Sequence, residues 1–420
     1  MCREMKDSGI EWIGEIPREK SIINLKHVLS YIKGKNPNEI NDIGKGKPYI
    51  GASDLDKDRG YLEYKNYCDE DLPCAEKEDV LVLWDGARAG LIGTNHEGYI
   101  SSTIVKILPN IKYIKKRFFY WYLRGAEKYL FEQVRGTTIP HMSREFIDNM
   151  GMIDFSLNEQ EQIVKYLDKK VSEIDDIILK QKSLIEKYKA YKQSLITETV
   201  TKGLNKNVHM KYSGIEWIGE IPSHWKVERI KYLIDFNPSY SETLNDDVSV
   251  SFAPMECVGN GYMNFKEAKL KDVKGKYTYF ADKDIIMAKV TPCFENGNIA
   301  IANDLINGVG FGSSELYVFR CKRIDNKFMF YYLRNNIFKE GCISTMTGTG
   351  GLKRVSSSFI ENYYIGIPKI DEQKEIAEFL DKKCNAIDCA ISKKEQLIEK
   401  LEEYKKSLIY ECVTGKREVN

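Results

Sequence analysis

Most features that would tie this 420-residue chain to a chemistry of its own are missing. No apolar run approaches the roughly 18 residues of a membrane-spanning helix, and Met1-Cys2-Arg3-Glu4-Met5-Lys6 has no apolar signal core. A cytoplasmic location without a membrane partner is therefore expected. The ten cysteines form no Cys-x-x-Cys, and the nearest two are Cys384 and Cys389, so neither a zinc site nor a disulfide framework is expected. The five histidines are scattered. There is no His-Glu-x-x-His and no nucleophile elbow, and Gly348-Thr-Gly-Gly351 lacks the Lys-Ser/Thr of a phosphate loop. Asn237-Pro-Ser-Tyr240 lacks the second proline of the amino-methyltransferase Asn-Pro-Pro-Tyr, and no Gly-x-Gly loop precedes it. No catalytic residue, metal ligand or directly bound cofactor is assigned. Charge of one sign is also lacking: 63 basic residues face 62 acidic ones, for a net +1. Nucleic-acid binders often carry a basic excess, so the placement of charge matters more than its total.

What is present is repetition. Ser8-Gly-Ile-Glu-Trp-Ile-Gly-Glu-Ile-Pro17 returns unchanged as Ser213 to Pro222, 205 positions later. Glu159-Gln160 and Glu372-Gln373, 213 positions apart, open two similar segments running to about residues 203 and 416. Each copy thus holds a short motif, a divergent middle and a helical segment, as expected of a duplicated scaffold carrying two different readers. A solenoid would need more and shorter repeats.

Both terminal segments lack proline, and their apolar residues fit heptads. Leu167, Ile174, Gln181, Tyr188 and Leu195 form one row; Ile163, Ile177, Leu184 and Tyr191 form the next. The second copy repeats them at Leu380, Ile387, Lys394, Leu401 and Leu408, with Ile376, Ala390, Leu397 and Tyr404. The expectation is two helices packed antiparallel on each other within one chain. A coiled coil joining two chains is the alternative.

In the middles, Asp79–Trp84 and Asp284–Ala288 read as buried strands, as do Ser101–Ile107 and Ser313–Phe319. Phe118–Arg124 and Phe328–Arg334 read as buried helices whose aromatics serve the core. Lys106–Ile147 has nine basic and three acidic residues, and Leu316–Ile360 has eight and two, which points to two faces that meet phosphate. Each window ends in a polar loop. Arg135, Thr137, Thr138, His141 and Arg144 are the candidate DNA contacts of the first; Thr347, Thr349, Lys353 and Arg354 are those of the second. Loops after the first strands add Trp84 and Arg88, and Lys289, Thr291, Phe294, Glu295 and Asn296. Arg88 and Lys289 suit guanine, Asn296 adenine and Glu295 cytosine.

The two Trp-Ile-Gly-Glu-Ile-Pro runs, Ile285-Ile-Met-Ala-Lys289, Thr291-Pro-Cys-Phe-Glu-Asn-Gly297, Gly136-Thr-Thr-Ile-Pro-His141, Gly350-Gly-Leu-Lys-Arg354 and the Glu-Gln-headed helices carry a resemblance. The chain resembles the specificity subunits of type I restriction–modification systems over nearly its whole length. The resemblance implies an α+β fold: two tandem α/β target-recognition domains, separated by two long helices packed as an antiparallel coiled coil, in a pseudo-two-fold internal repeat. The expected divisions are 1–157 and 206–369 for recognition, with 158–205 and 370–420 for the helices. The implied function is non-catalytic DNA reading, one half of a bipartite site per domain, with the helices setting the gap and docking methyltransferase subunits. The implied partners are double-stranded DNA, two modification subunits and restriction subunits; S-adenosylmethionine, ATP and magnesium would sit on those subunits. Arg18-Glu-Lys20 departs from Ser223-His-Trp225, so the start of the first domain is expected to pack differently. A protein-binding scaffold and a fused methyltransferase are the competing function classes.

Overall fold

A computed structural model describes residues 4–55, 64–134, 140–241, 244–349 and 351–419. The chain divides into two units: Met1–Lys182 with Glu395–Asn420, and Ser183–Lys394. Two long helices, Leu157–Lys202 and Ile370–Val413, each contribute one half to each unit.

The divergent middles fold alike. In the first unit an antiparallel sheet runs in the order Leu29–Lys33, Ile104–Pro109, Val80–Leu83, Ile92–Gly93. In the second the order is Ile234–Phe236, Leu316–Cys321, Ile285–Ala288, Ile299–Ile301. A smaller four-stranded sheet accompanies each. One parallel pair lies within it, Lys47–Ile50 with Gly98–Ile100 and Ser249–Ala253 with Val309–Gly312. The expected strands are present, with the second of each pair starting three residues later than its sequence pattern. The four-residue runs of buried apolar side chains at Val80–Leu83 and Ile285–Ala288 reflect packing on both faces.

The expected aromatic helices are Lys116–Gly125 and Asn326–Leu333, with Phe118–Leu123 and Phe328–Leu333 buried. Phe146-Ile-Asp-Asn149 and Phe359-Ile-Glu-Asn362, which match across the repeat, fall on short helices, Arg144–Asp148 with its C-cap Asn149 and Ser357–Asn362, capped by Ser143 and Ser356, whose hydroxyls accept from the Phe146 and Phe359 amides.

The Glu-Gln pairs tie the long helices to their units. Gln160 accepts from the Lys115 amide and donates to Tyr113 and Phe155 carbonyls. Gln373 accepts from the Asp325 amide and donates to the Pro368 carbonyl. Lys20 and Trp225 fill one place in the repeat. Lys20 Nζ sits 2.6 Å from Glu159 Oε1, and Trp225 Nε1 donates to Glu372 Oε1 at 3.0 Å. The packing differs as expected, yet both residues hold the same glutamate.

Within each unit the helix halves run antiparallel. In the first, Asp175 meets Lys405 at 2.8 Å and Tyr166 bonds Arg417. In the second, Lys192 meets Asp388 at 2.6 Å, and Gly203 lies against Glu372. The first expected heptad row is buried at Leu167, Ile174, Leu380, Ile387 and Leu408, but the second row is not a buried seam. Ile174 is 7% exposed, but Ile177 and Tyr191 of the second row are 41% and 56% exposed. Leu184, Leu397 and Tyr404 are exposed too. The buried stripe follows eleven-residue steps: Ile163, Ile174, Ile185 and Ile196 in one helix, and Ile376, Ile387, partly buried Ile398 and Ile409 in the other. Eleven residues over three turns is 3.67 per turn, close to a straight helix, whereas a strict heptad row drifts about 20° per repeat out of the contact. Among the described residues, no helix is long and apolar enough to cross a membrane.

Candidate nucleic-acid interface

The candidate sites lie where the central strand of each larger sheet ends. In the first unit, the Trp84 amide donates to the Thr103 carbonyl at 2.7 Å, and the Met142 amide to the Trp84 carbonyl at 2.8 Å. The Gly86 amide reaches the Pro140 carbonyl at 3.1 Å. Two loops distant in sequence are thereby stitched together, and Asp85 pairs with His141 across the seam. Asp85 Oδ1 lies 2.5 Å from His141 Nδ1, and Oδ2 lies 3.2 Å from Lys33 Nζ. Burial would raise the Asp85 pKa, but the His141 and Lys33 contacts outweigh it and hold the carboxyl below its usual range.

The second unit repeats this frame with other side chains. Lys289 donates its amide to the Glu315 carbonyl at 3.0 Å and accepts from the Val355 amide at 2.9 Å. The Thr291 amide bonds the Lys353 carbonyl, and the Thr291 hydroxyl donates to the Gly351 carbonyl and accepts from the Lys353 amide. Val290 pairs with Arg354 where Asp85 pairs with His141. Glu315 grips Arg354 through two hydrogen bonds of 2.8 and 2.9 Å. That guanidinium holds the Glu315 carboxyl below its usual range. Such a bidentate grip fixes an otherwise flexible arginine for recognition.

The sequence-derived residues divide by exposure. Trp84 is 7% exposed and meets Tyr31 and His141 edge-on. Phe294 lies in the core, and the buried Thr291 hydroxyl is spent on the loop frame. Arg88, His141, Arg144, Glu295, Asn296, Thr347, Thr349, Lys353 and Arg354 are exposed. Lys289 is half-buried, its Nζ 5.3 Å from the Tyr317 ring centre. Arg144 stacks over Tyr31 at 4.9 Å and bonds Asp148. Arg88 donates to the Ala52 carbonyl. Thr347 and Thr349 stand on a short exposed hairpin, Thr347–Thr349 with Leu352–Arg354. Arg135, Thr137 and Thr138 lie outside the described residues. The structure adds the positioning groups Lys33, Asp85 and Glu315. A sequence cue existed for Glu315, which stands just before its strand where the first copy has Thr103.

The basic windows read differently once folded. Lys106 and Lys116 both pair with Asp79, Lys115 with Glu161, and Arg117 with Asp168. Arg320 pairs with Asp284, Lys322 with Asp235, and Lys327 with Asp381. These acids lie outside the windows, so the fold neutralises part of the local excess. Burial would raise the Asp79 pKa, but Lys116, the Glu76 amide and Lys106 outweigh it and keep the carboxyl low.

Among known proteins, the type I restriction enzyme MjaVIII specificity subunit of Methanocaldococcus jannaschii is 28% identical over 413 residues, covering 96% of this chain and 93% of its own. The EcoAI specificity subunit of Escherichia coli is 38% identical over 162 residues, 37% of this chain and 27% of its own. Among solved structures, a chain from work on complex assembly and conformational transition of the type I R-M system shares the fold with a TM-score of 0.72 at 16% identity, covering 96% of this chain and 99% of that one. The HsdS subunit from Thermoanaerobacter tengcongensis gives 0.53 at 15% identity, covering 96% and 98%. The model of the type I restriction modification DNA specificity domain matches residues 17–187 and again 222–403. The chain belongs to the type I restriction–modification DNA specificity family and carries the family's domain twice.

Proposed function

We propose that the chain is the sequence-reading subunit of a type I restriction–modification complex and performs no chemistry itself. Each unit reads one half of a split site on double-stranded DNA through its stitched loop pair. The observation that carries this reading is the frame built twice with different side chains: the same three backbone hydrogen bonds present His141 and Arg144 in one unit, and Lys289, Lys353 and Arg354 in the other. A common frame with exchanged donors suits two different base sequences. The long helices set the unread gap and dock two modification subunits, with restriction subunits completing the assembly. S-adenosylmethionine, ATP and magnesium belong to those partners.

The test is to co-express the chain with its modification subunits and map methylated adenines across the host DNA. A split motif with a fixed gap supports the reading; absence of new methylation by an assembled complex contradicts it. Calorimetry of the isolated chain with S-adenosylmethionine should give no binding heat, and saturable heat would favour a fused methyltransferase.

A further inference from the structure

The two units differ at one repeated arginine. Arg124 and Arg334 end the matched aromatic helices. Arg124 is neutralised within its unit by Glu127 at 2.8 Å. Arg334 is half-buried, stacked 4.8 Å over the Phe330 ring, and its Nη2 donates to Asn260 Oδ1 at 2.7 Å. Among the described residues no carboxylate oxygen lies within salt-bridge distance of it. Asp388, an acid whose charge acts on it, is taken by Lys192 at 2.6 Å. Burial pulls the Arg334 pKa down, as for a cation removed from water without an ionic partner.

Lys339 is the second cation here, and its Nζ donates to the backbone carbonyl of Glu295. Arg334 and Lys339 line a cleft of about 60 Å³ with Asn260, Asn298 and Gln193, over a floor that includes Met287 and Phe294. This volume holds a few water-sized atoms, about one phosphate group. The cleft also touches the reading loop, because Asn260 Nδ2 reaches the Asn296 carbonyl at 3.4 Å and Lys339 reaches Glu295. Two cations without carboxylate partners, beside amide donors and next to exposed base-reading side chains, match the chemistry of a nucleic-acid phosphate.

We propose that the cleft between Arg334 and Lys339 is a phosphate site that grips the DNA backbone beside the Thr291–Asn298 loop. This rests on the DNA-reading function above. The site belongs to the second unit alone, since Glu127 already neutralises the matched arginine of the first. It positions the strand and carries no base preference.

The test uses the full chain assembled with its modification subunits. Duplex affinity is measured against salt for the wild type, Lys339→Gln, Arg334→Gln and, as a control, Arg124→Gln. Lys339→Gln should weaken cognate and unrelated duplexes alike, by roughly tenfold, and should lower the salt slope by about 0.9. Arg334→Gln should do the same, and Arg124→Gln should leave the slope unchanged. If Arg334→Gln fails to fold, Lys339→Gln decides, because its side chain projects from a helix surface. In parallel, inorganic phosphate is titrated into wild-type and Lys339→Gln chains by calorimetry at constant ionic strength. Saturable phosphate heat lost in the variant, together with the reduced slope, supports a backbone site. Phosphate heat lost in the variant with an unchanged slope overturns the backbone assignment in favour of a free phosphate-bearing ligand. An unchanged slope without phosphate heat overturns the site altogether. A wild-type complex that binds no duplex while its chain still binds phosphate would sink the DNA-reading function and leave the anion site standing.

Discussion

The reading loops of the two units share a backbone and differ in their polar fittings. In the first, Asp85 holds a histidine and a lysine; in the second, Glu315 holds an arginine while the residue matching Asp85 is Val290. The anchoring carboxylate has moved from the loop to the turn that leads into the neighbouring strand, yet the cation still stands at the seam. The frame is set by backbone hydrogen bonds, which leaves the side chains free to diverge. Divergent middles on a fixed frame are what two independent readers require.

The comparison can be broken first at its buried supports. Asp79 and Asp284 are each 2% exposed and occupy one place in the repeat, facing two lysines in the first unit and one arginine in the second. Asp79→Ala or Asp284→Ala should each cost about 2–4 kcal/mol by urea unfolding, because half-buried cations and a backbone amide lose their charged acceptor. A loss below about 1 kcal/mol would show that these pairs do not hold the frame. Since the Asp79 pKa is lowered on folding, its contribution is complete above the unfolded value near 4 and fades as pH falls through the lower folded value. The penalty of Asp79→Asn should therefore shrink as pH falls below about 4.

A second contrast lies along one helix. Ile174→Ala should cost about 2–4 kcal/mol, and Ile177→Ala less than about 0.5 kcal/mol, in the same unfolding assay. Equal costs would restore the heptad seam. The reading loops should give smaller effects that are confined in space. Arg354→Gln should reduce discrimination by about 1–3 kcal/mol at one half-site, and His141→Ala should act only on the other; binding selections on randomised duplexes would separate the two. A small effect is also expected at Lys20→Met, where a partly exposed pair with Glu159 is lost. About 1 kcal/mol or less is predicted there, against clearly more for Trp225→Ala in the other unit.

Much of the fold was legible in the sequence because duplication supplies an internal comparison. The matched strands and aromatic helices emerged from pairing Asp79–Trp84 with Asp284–Ala288 and Phe118–Arg124 with Phe328–Arg334. The second heptad row fails because Ile163 is followed fourteen residues on by exposed Ile177, whereas Ile174, Ile185 and Ile196, at steps of eleven, are buried, and burial alone separates the two patterns. The charge windows overstated the unpaired basic charge because Asp79, Asp168, Asp235 and Asp284 lie far from their cations in sequence and reach them only through the fold. Of the candidate contacts, Trp84, Thr291 and Phe294 carried residue types suited to DNA, but burial cannot be read from type alone. Arg334 escaped notice because it closes an aromatic helix that reads as pure core.

The central claim is that the two units read DNA independently. Its most direct test is to map methylated adenines after co-expressing the modification subunits with a chain doubly substituted Lys353→Ala and Arg354→Ala. The account predicts a split motif in which one half relaxes while the other half and the gap stay as in the wild type. Simultaneous change of both halves would contradict it.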